Sequence, residues 1–307
     1  TFLRRGDDVD IKTFTLQYPS LLFPGESQTV ATPPPADLRI RRCVNTVNPL
    51  NWLSVGRTIR RERPDFVLLK YWTPFMAPCF GTIARLARGN GHTKVLCQID
   101  NVEPHERHLS DRPFNRYFLS SVDGFIYMSE QVHRELRAYT AAPALFSPHP
   151  LFENFGERVP RAEACGRLGL DPALRYVLFF GLVRDYKGLD LLLGAWALLK
   201  RRGRTEGRRL IVAGEFYTAK EPYLKQIAAS GLQEEVLLHD RFIPDAGVKD
   251  YFSAADFVVQ PYKTATQSGV TQIAYQFCTP MVVTDVGGLA EIVPDGKVGY
   301  VCAPTAE

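Results

Sequence analysis

The chain has 307 residues, and its 45% hydrophobic content is enough to form two cores of ordinary size. Its net charge is only +4, and no run of Lys and Arg interleaved with aromatic residues is found, which argues against nucleic-acid binding. No apolar run approaches the roughly 20 residues that a membrane span needs, and residues 1–10 lack the apolar core of a signal peptide.

The first half of the chain is predicted to alternate strands and helices. Residues 9–16 alternate as a strand does, whereas residues 18–49, with three consecutive prolines, are interpreted as a long surface loop. A single parallel sheet is the simplest arrangement for this half of the chain. The remaining strands are predicted at 66–69, 94–99, 124–128 and 144–146, and the helices at 50–62, 75–88, 113–121 and 131–138.

The second half repeats this alternation of strands and helices after residues 147–158, a stretch that contains prolines and a glycine. The sequence therefore predicts an α/β protein of two Rossmann-like domains, residues 1–152 and 153–307, whose parallel sheets face a cleft. The strands of the second half are predicted at 176–180, 210–213, 236–238, 257–260, 281–284 and 299–302, and its helices at 189–201, 221–230, 245–253 and 269–277.

A basic loop follows the most apolar of these strands. Residues 176–180 form the strand, Gly181 interrupts it, and the helical pattern begins near Leu189, so Arg184 and Lys187 lie on the connection. In open α/β sheets ligands bind at the carboxyl ends of the strands. A paired Arg and Lys at that place predicts a site for an anion such as a diphosphate.

Polar residues also follow the other strands of the second half. Because the carboxyl ends of parallel strands converge on one edge of the sheet, these residues are expected to border the same site. They are Gly214 with Glu215, Arg241 with Phe242, residues 261–263, and residues 285–288.

The stretch ATQSGVTQ, residues 265–272, predicts a second part of an anion site. Ser268 is a good N-cap, and the backbone amides of Gly269, Val270 and Thr271 are expected to point out of the helix start. A helix start carries roughly half a unit of positive charge, which favours a bound phosphate.

Four motifs in series resemble the second domain of the GT-B glycosyltransferases of family four. They are FGLVRDYKGLDLL, LIVAGE, the Pro-Tyr turn with its helix start, and TPMVVTDVGGLAEIV, and they span nearly all of residues 176–303. The first half matches more loosely, through RRGDDVDIKTF, DNVEPHER and SSVDGFIYMSEQVHREL. The resemblance implies a GT-B fold, with an acceptor-binding domain at 1–152 and a nucleotide-sugar-binding domain at 153–307. It also implies that a first strand with its Gly-rich loop and the final helices lie outside the given sequence.

The resemblance implies a role for individual residues. Arg184 and Lys187 match the basic pair that holds the donor diphosphate, and His105 resembles a first-domain histidine near the transferring sugar, so these three are the expected catalytic residues. The donor diphosphate and sugar are expected to contact Gln267, Ser268, Gly269, Val270, Thr271, Asp285, Gly287 and Gly288. The nucleotide is expected to contact Gly181, Glu215, Arg241, Phe242, Ile243 and Gln272.

One departure from the family concerns two carboxylates at the start of this helix. The family usually has two glutamates there, one near the hexose and one that accepts the ribose hydroxyls, and this chain has Ala265 and Ile273 in those places. Thr271, Gln272 or Gln267 would have to replace the lost acceptor, which is worth roughly 1–3 kcal/mol. The chain is therefore expected to belong to a variant subgroup that lacks the paired glutamates.

The function implied by the resemblance is transfer of a hexose from a UDP- or GDP-linked sugar to a hydroxyl acceptor, with retention and without a metal or other cofactor. The acceptor would be a glycan, a lipid-linked sugar or a small molecule. Asp7, Asp8 and Asp10 are interpreted as surface residues. Two alternatives remain open: a non-catalytic nucleotide-sugar-binding protein or partner subunit, favoured by the missing glutamates, and a GT-B sugar-nucleotide epimerase.

The cysteines and the charge distribution bear on location. The cysteines are scattered without CxxC or Cys/His spacing, which argues against structural zinc and predicts reduced thiols in a cytoplasmic protein. The excess of Lys and Arg falls in the first half, which could favour contact with the inner face of a membrane, although solubility explains it equally well. The six cysteines are Cys43, Cys79, Cys97, Cys165, Cys278 and Cys302.

Overall fold

The computed structural model describes residues 2–19, 28, 36–103 and 109–307, apart from the side chain of Arg4. These residues form two compact units. Unit 1 comprises the described residues within Thr1–Tyr127 together with Val132–Ser147, and unit 2 comprises Met128–Gln131 together with Pro148–Glu307.

Unit 1 begins with a parallel pair of strands, β1 (Asp10–Leu16) and β2 (Arg39–Asn45). The interpretation of residues 18–49 as one surface loop is therefore wrong for β2. Three of the first four residues of this strand are arginines, and Arg39, Arg41 and Arg42 are exposed, so the strand lacks the apolar alternation that identifies a strand from sequence. Arg41 pairs with Asp10 of β1 at 3.0 Å.

The remaining strands of unit 1 form a separate four-stranded parallel sheet in the order β3-β4-β5-β6, so the expected single sheet is in fact two sheets. Its core joins the buried faces of α1 and α2 to the sheet and includes Ile83, Val95 and Phe118. The strands are β3 (Phe66–Tyr71), β4 (Lys94–Ile99), β5 (Gly124–Tyr127) and β6 (Ala144–Phe146), and the helices are α1 (Pro49–Glu62), α2 (Ala77–Arg88), α3 (Asp111–Leu119) and α4 (Glu130–Arg137).

Unit 2 contains a six-stranded sheet in the order β12-β11-β10-β7-β8-β9, in which every pair of neighbours is parallel. The strands are β7 (Arg175–Phe180), β8 (Arg208–Ala213), β9 (Val236–His239), β10 (Phe257–Gln260), β11 (Met281–Thr284) and β12 (Gly299–Cys302). The helices are α5 (Arg161–Leu168), α6 (Leu189–Arg201), α7 (Glu221–Ala229), α8 (Asp245–Ala254), α9 (Gly269–Gln276) and α10 (Leu289–Ile292). The sequence pattern does not predict the short helix α10.

The apolar residues of unit 2 explain why β7 lies inside the sheet. All residues of this strand after Arg175 are buried, which is typical of a parallel strand covered on both faces. One face packs against α6 through Leu189, Leu193 and Trp196, whose spacing is that of a single helix face. The other face packs into the core formed with α8 and α9.

The strand order places a topological switch point between β7 and β10. Strand β7 is the first of its sheet in the chain, the next two strands extend the sheet on one side, and β10 to β12 extend it on the other. The connections after β7 and β10 therefore run to opposite sides and leave a crevice between them at their carboxyl ends. The basic loop and the ATQSGVTQ stretch both border this crevice.

Candidate functional site

The loop after β7 carries two cations, Arg184 and Lys187. It contains a short 3₁₀ turn, Asp185–Lys187, and joins β7 to α6. Among the described residues, neither Arg184 nor Lys187 forms a salt bridge with a carboxylate. Each instead lies over an aromatic ring, the Arg184 guanidinium 5.2 Å from the Tyr217 ring centroid and the Lys187 ammonium 5.7 Å from that of Tyr262.

Lys187 is held in a state that favours proton loss. Burial, followed by the nearby charge of Arg184, lowers the pKa of Lys187 from 10.5 to about 8. A bound anion would supply the missing countercharge and restore the protonated form. The loop therefore has the electrostatic character of an anion site, because its positive charge is costly until a negative group enters.

The ammonium group of Lys187 lies at the start of α9. A methyl group built on Gly181 would be 3.2 Å from Lys187 Nζ and 3.6 Å from Val270 Cγ2, so these three residues meet at one point. Gly181 has a φ of +94° and leaves this point open because it has no side chain. The structure thus brings together the two parts of the anion site that the sequence predicted.

The first turn of α9 is capped differently from the sequence prediction in one respect. Ser268 is the N-cap, and its Oγ accepts from the backbone N–H of Val270 at 3.2 Å. The Val270 amide is therefore already bonded, which leaves the amides of Gly269 and Thr271 as the expected donors to an anion. The Ser268 hydroxyl is itself held by Tyr262, whose hydroxyl lies 3.2 Å away.

Lys263, one of the residues expected at the site, joins the loops on the two sides of the crevice through a pairing with Asp190 that the sequence did not predict. Lys263, which follows β10, lies with its Nζ 2.8 Å from Oδ2 of Asp190 in the first turn of α6. Its backbone N–H also donates to the carbonyl of Tyr186 at 2.7 Å. Gly188 permits the close approach, since a Cβ there would lie 1.9 Å from the carbonyl oxygen of Pro261.

Four of the predicted nucleotide-binding residues, Glu215, Arg241, Phe242 and Ile243, follow β8 and β9 and have different environments. Gly214, with a φ of +149°, allows the end of β8 to approach the carbonyl of Gly181, and the half-buried Glu215 follows it. Arg241 and Phe242 are exposed after β9, and 65% of Phe242 is accessible, so its ring is available to stack on a base. Ile243 is buried in the core of unit 2.

The predicted sugar-binding loop after β11 packs against the segment that precedes α9. A Cβ on Gly287, whose φ is +50°, would lie 1.5 Å from the carbonyl oxygen of Ala265, and one on Gly288 would lie 2.2 Å from that of Thr266. These two glycines therefore allow a contact that no other residue type would. Asp285 is exposed at the start of this loop.

The places expected for the two glutamates belong to the hydrophobic core. Ala265 and Ile273 are 3% and 6% exposed and pack in the core of unit 2. Two of the suggested replacements are also buried: Gln272 is 6% exposed, and the Thr271 hydroxyl donates to Oε1 of Gln260 at 3.0 Å. Gln267 is half-buried in the connection that leads to α9. His105 lies outside the described residues.

The acidic residues near the start of the chain form ion pairs within unit 1. Asp8 and Asp10 have the Asp-x-Asp spacing, but Asp8 pairs with Arg39, and Asp10 lies 2.6 Å from Lys12 and 3.0 Å from Arg41. Within the described parts of the chain, no group of three or more His, Cys, Asp or Glu side chains is arranged to hold a metal ion. None of the helices at 2–19, 36–103 or 109–307 combines the length and apolarity of a membrane span.

Comparison with known proteins identifies the second half of the chain. Residues 175–307 match the family described as glycosyl transferases group 1. A D-inositol 3-phosphate glycosyltransferase of Pseudarthrobacter chlorophenolicus is 33% identical over 132 residues, a match that covers 43% of this chain and 31% of that protein. The chain spans less than half the length of the curated relatives that it matches.

Solved structures with similar folds cover both halves of the chain. The sucrose-phosphate synthase of Thermosynechococcus elongatus aligns with a TM-score of 0.73 at 18% identity, over 99% of this chain and 77% of that protein. Anabaena HepE in complex with UDP and glucose aligns with a TM-score of 0.65 at 16% identity, over 88% of this chain and 73% of that protein. The α/β GT-B fold predicted from the sequence is confirmed, and the resemblance of the second half to glycosyltransferases is supported by the match of residues 175–307 to the glycosyl transferases group 1.

Proposed function

We propose that the protein is a glycosyltransferase that transfers a hexose from a nucleotide-diphosphate sugar to a hydroxyl acceptor. The observation that carries this proposal is that two cations, Arg184 and Lys187, which form no salt bridge within the described residues, meet the start of α9 at the switch point of the unit 2 sheet. A diphosphate has the charge and the size to bind both parts at once.

The proposed donor is a UDP- or GDP-linked sugar. The exposed ring of Phe242 and the half-buried Glu215 lie on the side of β8 and β9, where the nucleoside would extend from the diphosphate. Gln272, Arg241 and Ile243 are further candidates on that side. UDP is favoured over GDP because the structurally similar HepE was solved with UDP and glucose.

The proposed reaction needs stabilisation of the leaving diphosphate. As the bond between the anomeric carbon and the diphosphate oxygen breaks, negative charge develops on the diphosphate, where Arg184, Lys187 and the amides of Gly269 and Thr271 would stabilise it. In a front-face transfer that retains configuration, a diphosphate oxygen takes the proton of the acceptor hydroxyl, and the acceptor oxygen bonds to the anomeric carbon. Asp285, Gly287 and Gly288 would border the sugar, and His105 is proposed to lie near it.

The two halves are proposed to divide the substrates. Residues 1–152 would bind the acceptor, a glycan or lipid-linked sugar, and residues 153–307 would bind the donor. The basic strand β2 and the exposed arginines of α1 would support contact with the inner face of a membrane. The six cysteines are free thiols, which accords with a cytoplasmic location.

A second candidate function rests on the buried positions of Ala265 and Ile273. With no carboxylate at either place, the chain would bind a nucleotide sugar without transferring it. Donor turnover separates the two candidates. We expect turnover of a UDP- or GDP-sugar in the presence of EDTA, and its loss in Arg184→Ala and Lys187→Ala.

One result would argue against an enzyme, and another would argue against the role of the basic pair. Binding of the nucleotide sugar without hydrolysis or transfer, across a panel of acceptors, selects the non-catalytic binder. Turnover that depends strictly on a divalent ion, or that is unchanged in both variants, contradicts the proposed role of the basic pair.

A further inference from the structure

A second basic site lies at the opposite edge of the unit 2 sheet. A cavity of about 510 Å³ opens between the end of α6, Val177 of β7 and the first residues of β8 and β10. Val177 is the third of the six residues of β7, and a strand rises about 3.3 Å per residue, so about 10 Å of strand separates the cavity from the switch-point crevice. It is therefore independent of the proposed donor site.

Three arginines line this cavity and come from different parts of the fold. Arg202 and Arg204 follow α6, and Arg208 is the first residue of β8. Residues 199–209 are all described, and none of the three arginines forms a salt bridge with a carboxylate there or elsewhere in the described chain. Arg208 is held in place because its Nη1 donates to the carbonyls of Arg204 at 3.2 Å and Glu206 at 3.1 Å.

The half-buried Glu235 beside the end of α6 is already engaged. Its Oε1 lies 2.9 Å from Lys200 Nζ, and its Oε2 accepts from the indole N–H of Trp196 at 2.9 Å. Glu206 and Glu234 are exposed, and within the described residues neither forms a salt bridge with any of the three arginines.

The rest of the cavity wall is apolar. Val177 and Trp196 form buried parts of it, and Leu199 contributes a side chain that is 40% exposed. Phe257, at the start of β10, completes the apolar part. A ligand that fits this lining has an anionic group beside an apolar body.

An ordinary explanation for basic residues at this place is that they complement the carboxyl end of a helix. That explanation fits Lys200 and Arg201, which lie in the last turn of α6. It does not account for Arg208, which belongs to β8 and faces the same cavity as the two arginines after the helix. The convergence of charges from two elements on one partly apolar cavity is the feature that indicates a ligand.

We propose that this cavity binds a phosphate monoester that carries an apolar group. Guanidinium groups bind phosphate through paired hydrogen bonds, and three of them match a dianionic phosphate better than a single carboxylate. The apolar group would pack on Leu199 and Phe257. Such a phosphate could belong to a soluble metabolite or to the headgroup of an anionic phospholipid.

The test is calorimetric titration of phenyl phosphate and of inorganic phosphate. The titrations use the Arg184→Ala/Lys187→Ala double variant, so that the proposed donor site does not contribute to the measured binding. This cavity is thereby tested separately from the proposed function. We expect saturable binding, tighter for phenyl phosphate, and a loss of about tenfold in affinity on Arg204→Ala or Arg208→Ala. Leu199→Ser should weaken phenyl phosphate and leave inorganic phosphate unchanged.

Arg201→Ala is the matched control, because Arg201 is exposed beside Arg202 but does not line the cavity. An equal loss of affinity in Arg201→Ala and Arg204→Ala would show that only net charge matters and would overturn the proposal. The absence of saturable binding in the double variant would overturn it as well. Cosedimentation with phosphatidic acid and phosphatidylcholine vesicles separates the two sources of phosphate, because the phosphate of phosphatidic acid is a monoester. Retention on phosphatidic acid that Arg208→Ala abolishes identifies a lipid headgroup, and binding of phenyl phosphate without retention identifies a soluble ligand.

Discussion

Lys263 Nζ and Asp190 Oδ2 lie 2.8 Å apart, and this ion pair joins the connection after β10 to the first turn of α6. The backbone N–H of Lys263 donates to Tyr186, one residue before Lys187. Lys263 thus contacts the basic loop through its backbone and the first turn of the following helix through its side chain. In this arrangement Lys263 and Asp190 are positioning residues for the proposed diphosphate site.

Removing this ion pair should weaken nucleotide binding modestly. Because both side chains are partly exposed, we expect Lys263→Met to weaken UDP binding about two- to fivefold and Lys263→Arg to restore most of the loss. Lys200→Met is the control, since Lys200 and Glu235 form a comparable pair at 2.9 Å at the end of α6, away from the basic loop. An equal effect of Lys263→Met and Lys200→Met on UDP affinity, measured by calorimetry, would contradict the positioning role.

Lys187 should lower the free energy of unfolding of the ligand-free protein. Burial and Arg184 lower the pKa of Lys187 to about 8, so its charged form is less favourable in the folded protein than in the unfolded chain. We expect Lys187→Met to raise the free energy of unfolding at pH 7 by about 1–3 kcal/mol while it abolishes UDP binding. Urea denaturation measures the change, and a less stable variant would show that the lysine is not under electrostatic strain.

The same shift predicts the pH dependence of stability. Between about pH 8 and 10.5 the folded protein has lost the Lys187 proton while the unfolded chain still holds it, so the unfolded state binds more protons. The contribution of Lys187 to stability therefore rises with pH across this interval. The difference in unfolding free energy between the wild type and Lys187→Met should narrow from pH 8 to pH 10.5. A constant difference would mean that Lys187 titrates alike in both states.

Two glycines with similar φ values allow the cost of backbone strain to be distinguished from the cost of a steric clash. Gly188 and Gly203 have φ values of +68° and +65°, but a Cβ on Gly188 would lie 1.9 Å from the Pro261 carbonyl, whereas nothing lies within 4 Å of one on Gly203. We expect Gly203→Ala to destabilise by about 1–2 kcal/mol from backbone strain alone. Gly188→Ala should cost about 1–3 kcal/mol more, because the two loops must move apart. Equal losses of unfolding free energy would show that the loops are not in close contact.

Restoring a family glutamate at Ile273 should destabilise this protein. Ile273 is 6% exposed within the core, and a carboxylate there would be buried without a partner. We expect Ile273→Glu to lower the free energy of unfolding by about 2–5 kcal/mol, against about 1 kcal/mol for Ile273→Val. If UDP restored the stability of Ile273→Glu, this position would face the ribose as in the family, and its assignment to the core would be wrong.

Most elements of unit 2 could be predicted because their strands are continuous apolar runs and their helices have one apolar face. Strand β7 and helix α6 are the clearest cases, since their burial follows the sequence pattern. Strand β2 could not be predicted in this way. Its stability comes from pairing with β1 and from ion pairs such as Arg41 with Asp10, which depend on a partner 31 residues away.

The sequence could likewise predict the members of the candidate site but not all of its contacts. Arg184 and Lys187 are predictable because they follow a strand and match a family motif. The pairing of Lys263 with Asp190 is not, because it joins two loops that are adjacent only through the strand order. The capping of Val270 by Ser268 depends on the side-chain rotamer, which the sequence does not specify.

Calorimetric titration of UDP tests the central claim, that a nucleotide diphosphate binds where the basic loop meets α9. The comparison needs the wild type, Arg184→Ala, Lys187→Ala and the control Lys200→Ala, since Lys200 lies at the far end of α6. We expect saturable binding to the wild type and to Lys200→Ala, and losses of at least about tenfold in the other two variants. Binding of equal strength in all four proteins would contradict it.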